Sequence, residues 1–184
     1  MIETAGLVLA VVGILFTFEA PRTKFLSMLE WLPSSKKVET LGSKVPNSPT
    51  SHDREIAKCF RSLFADSGLF REFQGHDFLL PLRKAATVPL YTVVETWTDE
   101  AHFFTHPELR CKQAIFIAAA NELAEEIVRY TVPDGNGNIS VITRHMDSEN
   151  LPEHVRAEAR AIDAKLPAFL QTHEELLAAC NRLL

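Results

Sequence analysis

An apolar run opens the chain. From Ala5 to Phe18 (AGLVLAVVGILFTF) there is one polar side chain, Thr17, and no charge. Met1 and Ile2 extend the run, with Glu3 and Thr4 at its lip. As a helix, Met1 to Phe18 would cover about 27 Å at 1.5 Å per residue, close to the hydrocarbon thickness of a thin bilayer at roughly 27–30 Å. Two rivals weigh less. A cleaved signal peptide starts with a positive region and ends at small residues, whereas this run starts with Glu3 and exits through Phe18-Glu19-Ala20. A buried core helix fits the length, but not a basic flank followed by a tether. The run therefore reads as a short transmembrane span.

Its flanks set the orientation. Between Ala20 and His52 lie five basic residues (Arg22, Lys24, Lys36, Lys37, Lys44) against two acids, Glu30 and Glu39, and no basic residue precedes the run. Lys and Arg stay on the cytoplasmic side, so the N-terminus is expected outside and the bulk of the chain inside, at the cell inner membrane. Gly6 and Ala10 make a small-xxx-small pair, the pattern that lets two spans pack closely in a homodimer. After Pro21, Phe25, Leu26, Leu29 and Leu32 recur at helical spacing beside Lys24 and Trp31, which suits an amphipathic helix in the headgroup layer. The following stretch (PSSKKVETLGSKVPNSP) is rich in proline and serine, with no apolar periodicity, and reads as a flexible tether.

The domain plan is thus a transmembrane anchor over 1–20, an interfacial helix over 21–32, a linker over 33–50 and a cytosolic helical domain over 51–184. The last is long enough to bury a core of its own. Charge is shared unevenly: residues 1–52 carry net +1 and residues 53–184 carry net −6. An acidic domain without a basic stripe argues against nucleic acid as a partner, because phosphate neutralisation supplies most of that affinity. Cys59, Cys111 and Cys180 are odd in number and widely spaced, which predicts reduced, part-buried thiols and no disulfide framework.

Within the domain the expected fold class is all-α, a helical bundle of five to seven helices. Thr50 or Ser51 caps a first helix with a face of Ile56, Cys59, Phe60, Leu63 and Phe64. Gly68 follows it, and Leu69, Phe70 and Phe73 make a short second helix closed by Gly75. A third begins near Pro89 and carries Leu90, Val93, Val94 and Trp97. Thr105-His106-Pro107-Glu108 has capping-box spacing and launches the longest helix, to about Tyr130; its centre (AIFIAAA, 114–120) is apolar on every side, which predicts burial by its neighbours. Pro133 to Asn138 is a turn signal, and Ile139 to Thr143 a short extended stretch. Asn150-Leu151-Pro152-Glu153 opens a C-terminal helical region broken near Pro167.

Motifs that carry chemistry are sparse. His76-Asp77, with His52 upstream and Asp99, Asp134 or Asp147 downstream, offers the residue types of a metal-dependent phosphohydrolase, in which His and Asp hold a metal that activates water. His102, His106 and Cys111 are of the type that binds zinc, although the helix start between the two histidines keeps them off one face, where Phe103 and Phe104 would anchor the corner and leave the histidines wet. Glu125-Glu126 and Glu174-Glu175 fall on polar helix faces as solvated charge. There is no phosphate loop, nucleophile elbow, H-E-x-x-H or C-x-x-C. No cofactor is expected.

The layout, an N-out span, then F-E-x-P-R and a helical cytosolic domain, looks like that of many bacterial membrane proteins and implies no residue-level role. Three functions are compatible with these residues. The first is a non-enzymatic, membrane-tethered interaction module, held to the lipid bilayer through residues 1–32 and facing a protein partner; substrate turnover by the purified protein would sink it. The second is a phosphohydrolase on His52, His76 and Asp77, which a metal-free protein by elemental analysis rules out. The third is a membrane-perturbing effector, which an intact membrane potential on overexpression would contradict.

Overall fold

A computed structural model describes residues 48–65, 68–142 and 150–184. The expected anchor, interfacial helix and most of the linker, as well as Asp147, lie outside the described residues. No described helix is long and apolar enough to cross a membrane.

The described part is mostly helical. In chain order it contains α1 (Ser51–Ala65), α2 (Leu69–Phe73), β1 (Leu82–Arg83), a 3-10 turn (Lys84–Thr87), α3 (Val88–Thr96), a second 3-10 turn (Glu100–His102), α4 (Pro107–Tyr130), β2 (Val132–Pro133), β3 (Asn138–Ser140), α5 (Glu153–Asp163) and α6 (Leu166–Leu183). The fold is not purely α, because three short antiparallel strands pair in the order β1-β3-β2. Leu82 faces Ile139 in one pair of strands and Val132 faces Ser140 in the other. The irregular passage around Pro81 thus leads into an edge strand of two residues, Leu82 and Arg83, too short to leave a periodicity of its own in the sequence.

The β2–β3 turn is built by Asp134. Its Oδ1 accepts the backbone N–H of Asn136 at 2.6 Å and of Asn138 at 3.1 Å, and Oδ2 accepts the Asn138 amide at 2.9 Å. This Asx-turn pattern satisfies backbone donors locally. Gly137, at φ +87°, sits in the left-handed region that a Cβ disfavours.

Most helix bounds follow the spacing of apolar residues and prolines. α4 begins at Pro107 and ends at Tyr130. It is the central element: α3, α5 and α6 all pack against it. It is not covered on every side, for Ile115 is 46% exposed, so the burial expected of the apolar centre holds only for the face of Leu109, Gln113, Phe116, Ile117, Ala120, Leu123, Ala124 and Ile127. Seven consecutive apolar residues cannot report which side is left open. The break near Pro167 is real: α5 ends at Asp163, α6 starts at Leu166 and Pro167 lies in its first turn, where a missing N–H is tolerated.

The core centres on Phe60, which is fully buried. Its ring meets Phe116 edge-on at 5.3 Å and Phe64 at 5.1 Å, and tilts over Trp97 at 5.4 Å. On α1 the inward face is Asp53, Ile56, Ala57, Phe60 and Phe64. Cys59, expected on that face, is exposed. The stripe steps 53, 57, 60, 64, and at 100° per residue this turns position 59 out of the interior. Cys111 is likewise exposed, and only Cys180 is buried; the expectation of three part-buried thiols is corrected accordingly.

Candidate functional site

The polar organisation starts at the N-terminus of α1. Thr50 and Asp53 exchange bonds in capping-box fashion: the Thr50 hydroxyl accepts the Asp53 N–H at 3.1 Å, and Asp53 Oδ2 accepts the Thr50 N–H at 2.8 Å. Asp53 does more than cap its own helix. Its Oδ1 accepts the Thr105 N–H at 2.6 Å and the His106 N–H at 3.3 Å, and Oδ2 accepts the Thr105 hydroxyl at 2.8 Å. One buried carboxylate therefore ties together the starts of α1 and α4, where unpaired N–H groups and the helix dipoles both favour an anion. Burial alone would raise the Asp53 pKa, but the bonds from Thr50 and Thr105 outweigh it and hold the carboxyl down at about 2.

This corrects the expected capping box at Thr105–Glu108. The residue that caps α4 is His106, without a side-chain bond. Thr105 lies one residue too early and gives its hydroxyl to Asp53, while Glu108 pairs with Arg182. His106 is not wet either: it is 7% exposed and its buried Nδ1 has no hydrogen-bond partner among the described residues.

The corner before α4 is held from two further sides. Gln113, 1% exposed, donates to the His102 carbonyl at 2.7 Å and accepts the Phe104 N–H at 3.0 Å. His52 Nε2 reaches the Phe103 carbonyl at 3.1 Å, so that nitrogen is the donor. With its backbone fixed in this way, the His102 ring stacks on Trp97 at 5.8 Å. Its Nδ1 lies 2.6 Å from Asp99 Oδ1, which also accepts the His102 N–H at 3.2 Å. The bond to His102 holds the Asp99 carboxyl below the usual carboxylate range, so Asp99 is an acceptor and Nδ1 carries the proton.

His102 opens onto a groove between α1 and α3, of about 680 Å³. Glu55, Lys58, Cys59, Ser62 and Leu63 form its α1 wall; Thr92, Thr96, Trp97 and His102 form the opposite one. The α1 residues recur every three or four positions, so they share the face that leads away from the core stripe.

The other expected site residues are dispersed. His76 and Asp77 sit in the loop after α2: Asp77 Oδ1 accepts the Leu79 N–H at 2.9 Å and caps the turn, and the His76 ring stands edge-on to Phe78 at 5.0 Å. Their acidic neighbour is Asp163 at the end of α5, whose pKa is raised by burial and by the Asp77 charge. His52 is committed to the Phe103 carbonyl, Asp134 to its hairpin turn and Asp99 to His102. Among the described residues no three His, Cys, Asp or Glu side chains are grouped as a metal site requires. Glu126 pairs with Arg129, and Glu175 with Lys112.

Sequence reasoning passed over Asp53, Gln113 and His173. His173 is 7% exposed and lies against the Phe70 ring at 3.7 Å, with Phe60 and Phe64 around it at 5.3 and 5.1 Å. Burial pushes its imidazole down to about 4, and Nε2 has no partner among the described residues. Its spacing of four and seven from Phe169 and Leu166 was the available signal for an inward position. No family model, curated protein or solved structure matches this chain.

Proposed function

We propose that this protein is a membrane-tethered interaction module: residues 1–32 hold it to the bilayer, and the helical domain offers the α1–α3 groove to a segment of a protein partner. The observation that carries the reading is the groove itself. It is open, about 680 Å³ in volume, and framed by Leu63 and Trp97 with Glu55 and Lys58 among its lining residues. An amphipathic segment suits it, with apolar residues toward Leu63 and Trp97 and a charge of either sign met by Lys58 or Glu55. The apolar N-terminal run and its basic flank support the tether, since the Lys and Arg residues belong on the cytoplasmic side. Contact between two copies through Gly6 and Ala10 is compatible with this arrangement.

The test uses the full chain in its own membrane. A photo-crosslinking residue placed at Leu63, in the groove, is compared with one at Arg156, an exposed position on α5. The reading predicts a discrete protein adduct from position 63, absent from position 156 and lost when Thr92→Arg fills the groove. Equal crosslinking from both positions, or adduct formation that Thr92→Arg leaves unchanged, refutes it.

A further inference from the structure

His173, on α6, is held in a shell of phenylalanines. Phe70 of α2 stacks on its ring at 3.7 Å, Phe64 and Phe60 of α1 lie at 5.1 and 5.3 Å, and Phe116 of α4 lies at 5.9 Å. The residue is 7% exposed, and its buried Nε2 has no hydrogen-bond partner among the described residues. No charged side chain belongs to that shell. On the elements that form it, Arg61 is bonded to Asn181, Glu72 to Arg83 and Lys112 to Glu175. Glu174, next in the chain, is exposed, and Arg71 lines an outer cavity with Phe70. A proton on this ring would therefore create a buried charge with no counter-ion, which is far costlier than a buried neutral group. Attraction to the phenyl faces is the compensation left to it, and burial outweighs that, since it holds the imidazole down to about 4.

The side of the shell that can open is α2. It is a single helical turn of five residues, Leu69–Phe73, set between Gly68 and Gly75, which both have left-handed backbone at φ +67° and +75°. An open cavity of about 470 Å³, lined by Phe64, Ala65, Gly68, Phe70 and Arg71, runs beside it. Leu69 and Phe73 are fully buried and hold the turn closed while His173 is neutral. We propose that α2 is a proton-released cover: when His173 takes a proton, the turn swings away from α6 between its two glycines and water reaches the imidazolium. The proton comes from solvent and returns there when the ring is neutralised and Phe70 stacks on it again. Opening exposes a layer of Phe64, Phe116 and Phe169, whose rings surround Phe70 and His173, so the switch trades a closed core for an apolar surface.

Hydrogen exchange on the detergent-solubilised full chain tests the cover, with protection taken relative to the intrinsic exchange rate at each pH. The amides of Glu72 and Gln74, bonded to the Gly68 and Phe70 carbonyls at 2.9 Å, report on α2, and those of α4 report on the whole domain. An imidazole at about 4 when covered and 6.5 when open raises the open fraction roughly 25-fold between pH 7.5 and pH 5. Protection in α2 is expected to lie below that in α4 at both pH values, and to fall by about that factor at pH 5. His173→Phe is expected to abolish the fall. Protection in α2 equal to that in α4 at pH 5 overturns the proposal, because the turn then moves only when the whole domain unfolds. Protection in α2 that does not change with pH overturns it as well, and neither of these outcomes needs a variant. A fall that persists in His173→Phe overturns it too, because another group would then be the sensor.

Discussion

Asp53→Asn is the sharpest probe of how the domain is held together. The carboxylate accepts backbone N–H groups from Thr50, Thr105 and His106 and the Thr105 hydroxyl, so donors approach both oxygens. An amide can accept on one side only; its NH2 group then faces donors. The pH linkage gives a magnitude. The Asp53 carboxyl lies at about 2 in the fold against 3.8 in the open chain, and each unit is worth about 1.4 kcal/mol, so its ionised form contributes on the order of 2 kcal/mol. Because the folded pKa is the lower one, this stability is present in full above about pH 4 and fades as pH falls toward 2. Thermal unfolding followed by circular dichroism should therefore show Asp53→Asn melting roughly 5–10 °C below wild type at pH 7. The gap should narrow steadily below pH 4. A variant within about 1 °C of wild type at pH 7, or a gap that stays constant down to pH 2, refutes the claim that one ionised carboxylate joins the two helix starts.

Three further perturbations have defined outcomes. His173 has its folded pKa pushed down to about 4 from 6.5 by burial, so the unfolded chain binds the extra proton and stability is lost as pH falls between those values; His173→Phe should gain more thermal stability at pH 5 than at pH 7, and an equal gain at both would contradict the burial argument. Phe60→Ala opens a hole between Phe64, Trp97 and Phe116 and should lower the unfolding free energy in urea by about 3–5 kcal/mol, whereas a loss below 1 kcal/mol would mean that Phe60 is not the centre of the core. Gly137→Ala forces a Cβ onto a residue at φ +87° and should destabilise the hairpin by about 1 kcal/mol, seen as a lower urea midpoint with an unchanged slope; an unchanged midpoint would show that the hairpin is not part of the cooperative unit.

Helices were legible because burial repeats with their own period. Pro107 and Tyr130 bracket α4 as the sequence predicts, and the short α2, from Leu69 to Phe73, follows from two glycines and three apolar residues. What stayed hidden depends on contacts across long sequence gaps. Asp53 reads locally as a helix-start acid, and nothing nearby announces that its second set of donors lies 52 residues on at Thr105. Cys59 and Phe60 are neighbours of similar apolarity, yet one faces the groove and the other the core; only the packing of α1 against α3 and α4 decides between them. The sheet escaped for a related reason: strands of two or three residues are too short to show alternation. Among the expected site residues His102 does line a groove and bonds to Asp99, whereas His106 and Cys111 are not among the residues that line it. His76 and Asp77 keep each other's company, with Asp163 arriving from α5.

The proposed role requires a tether at the inner face of the membrane, and the chain's own exposed thiols can test for it. Cells producing the full-length protein are treated with a membrane-impermeant maleimide before and after permeabilisation, and the protein is then sought in carbonate-washed membranes. The account predicts that the protein stays with the washed membranes and that Cys59 and Cys111, both exposed on the domain, are labelled only after permeabilisation. Labelling in intact cells, or release of the protein by carbonate, would contradict it.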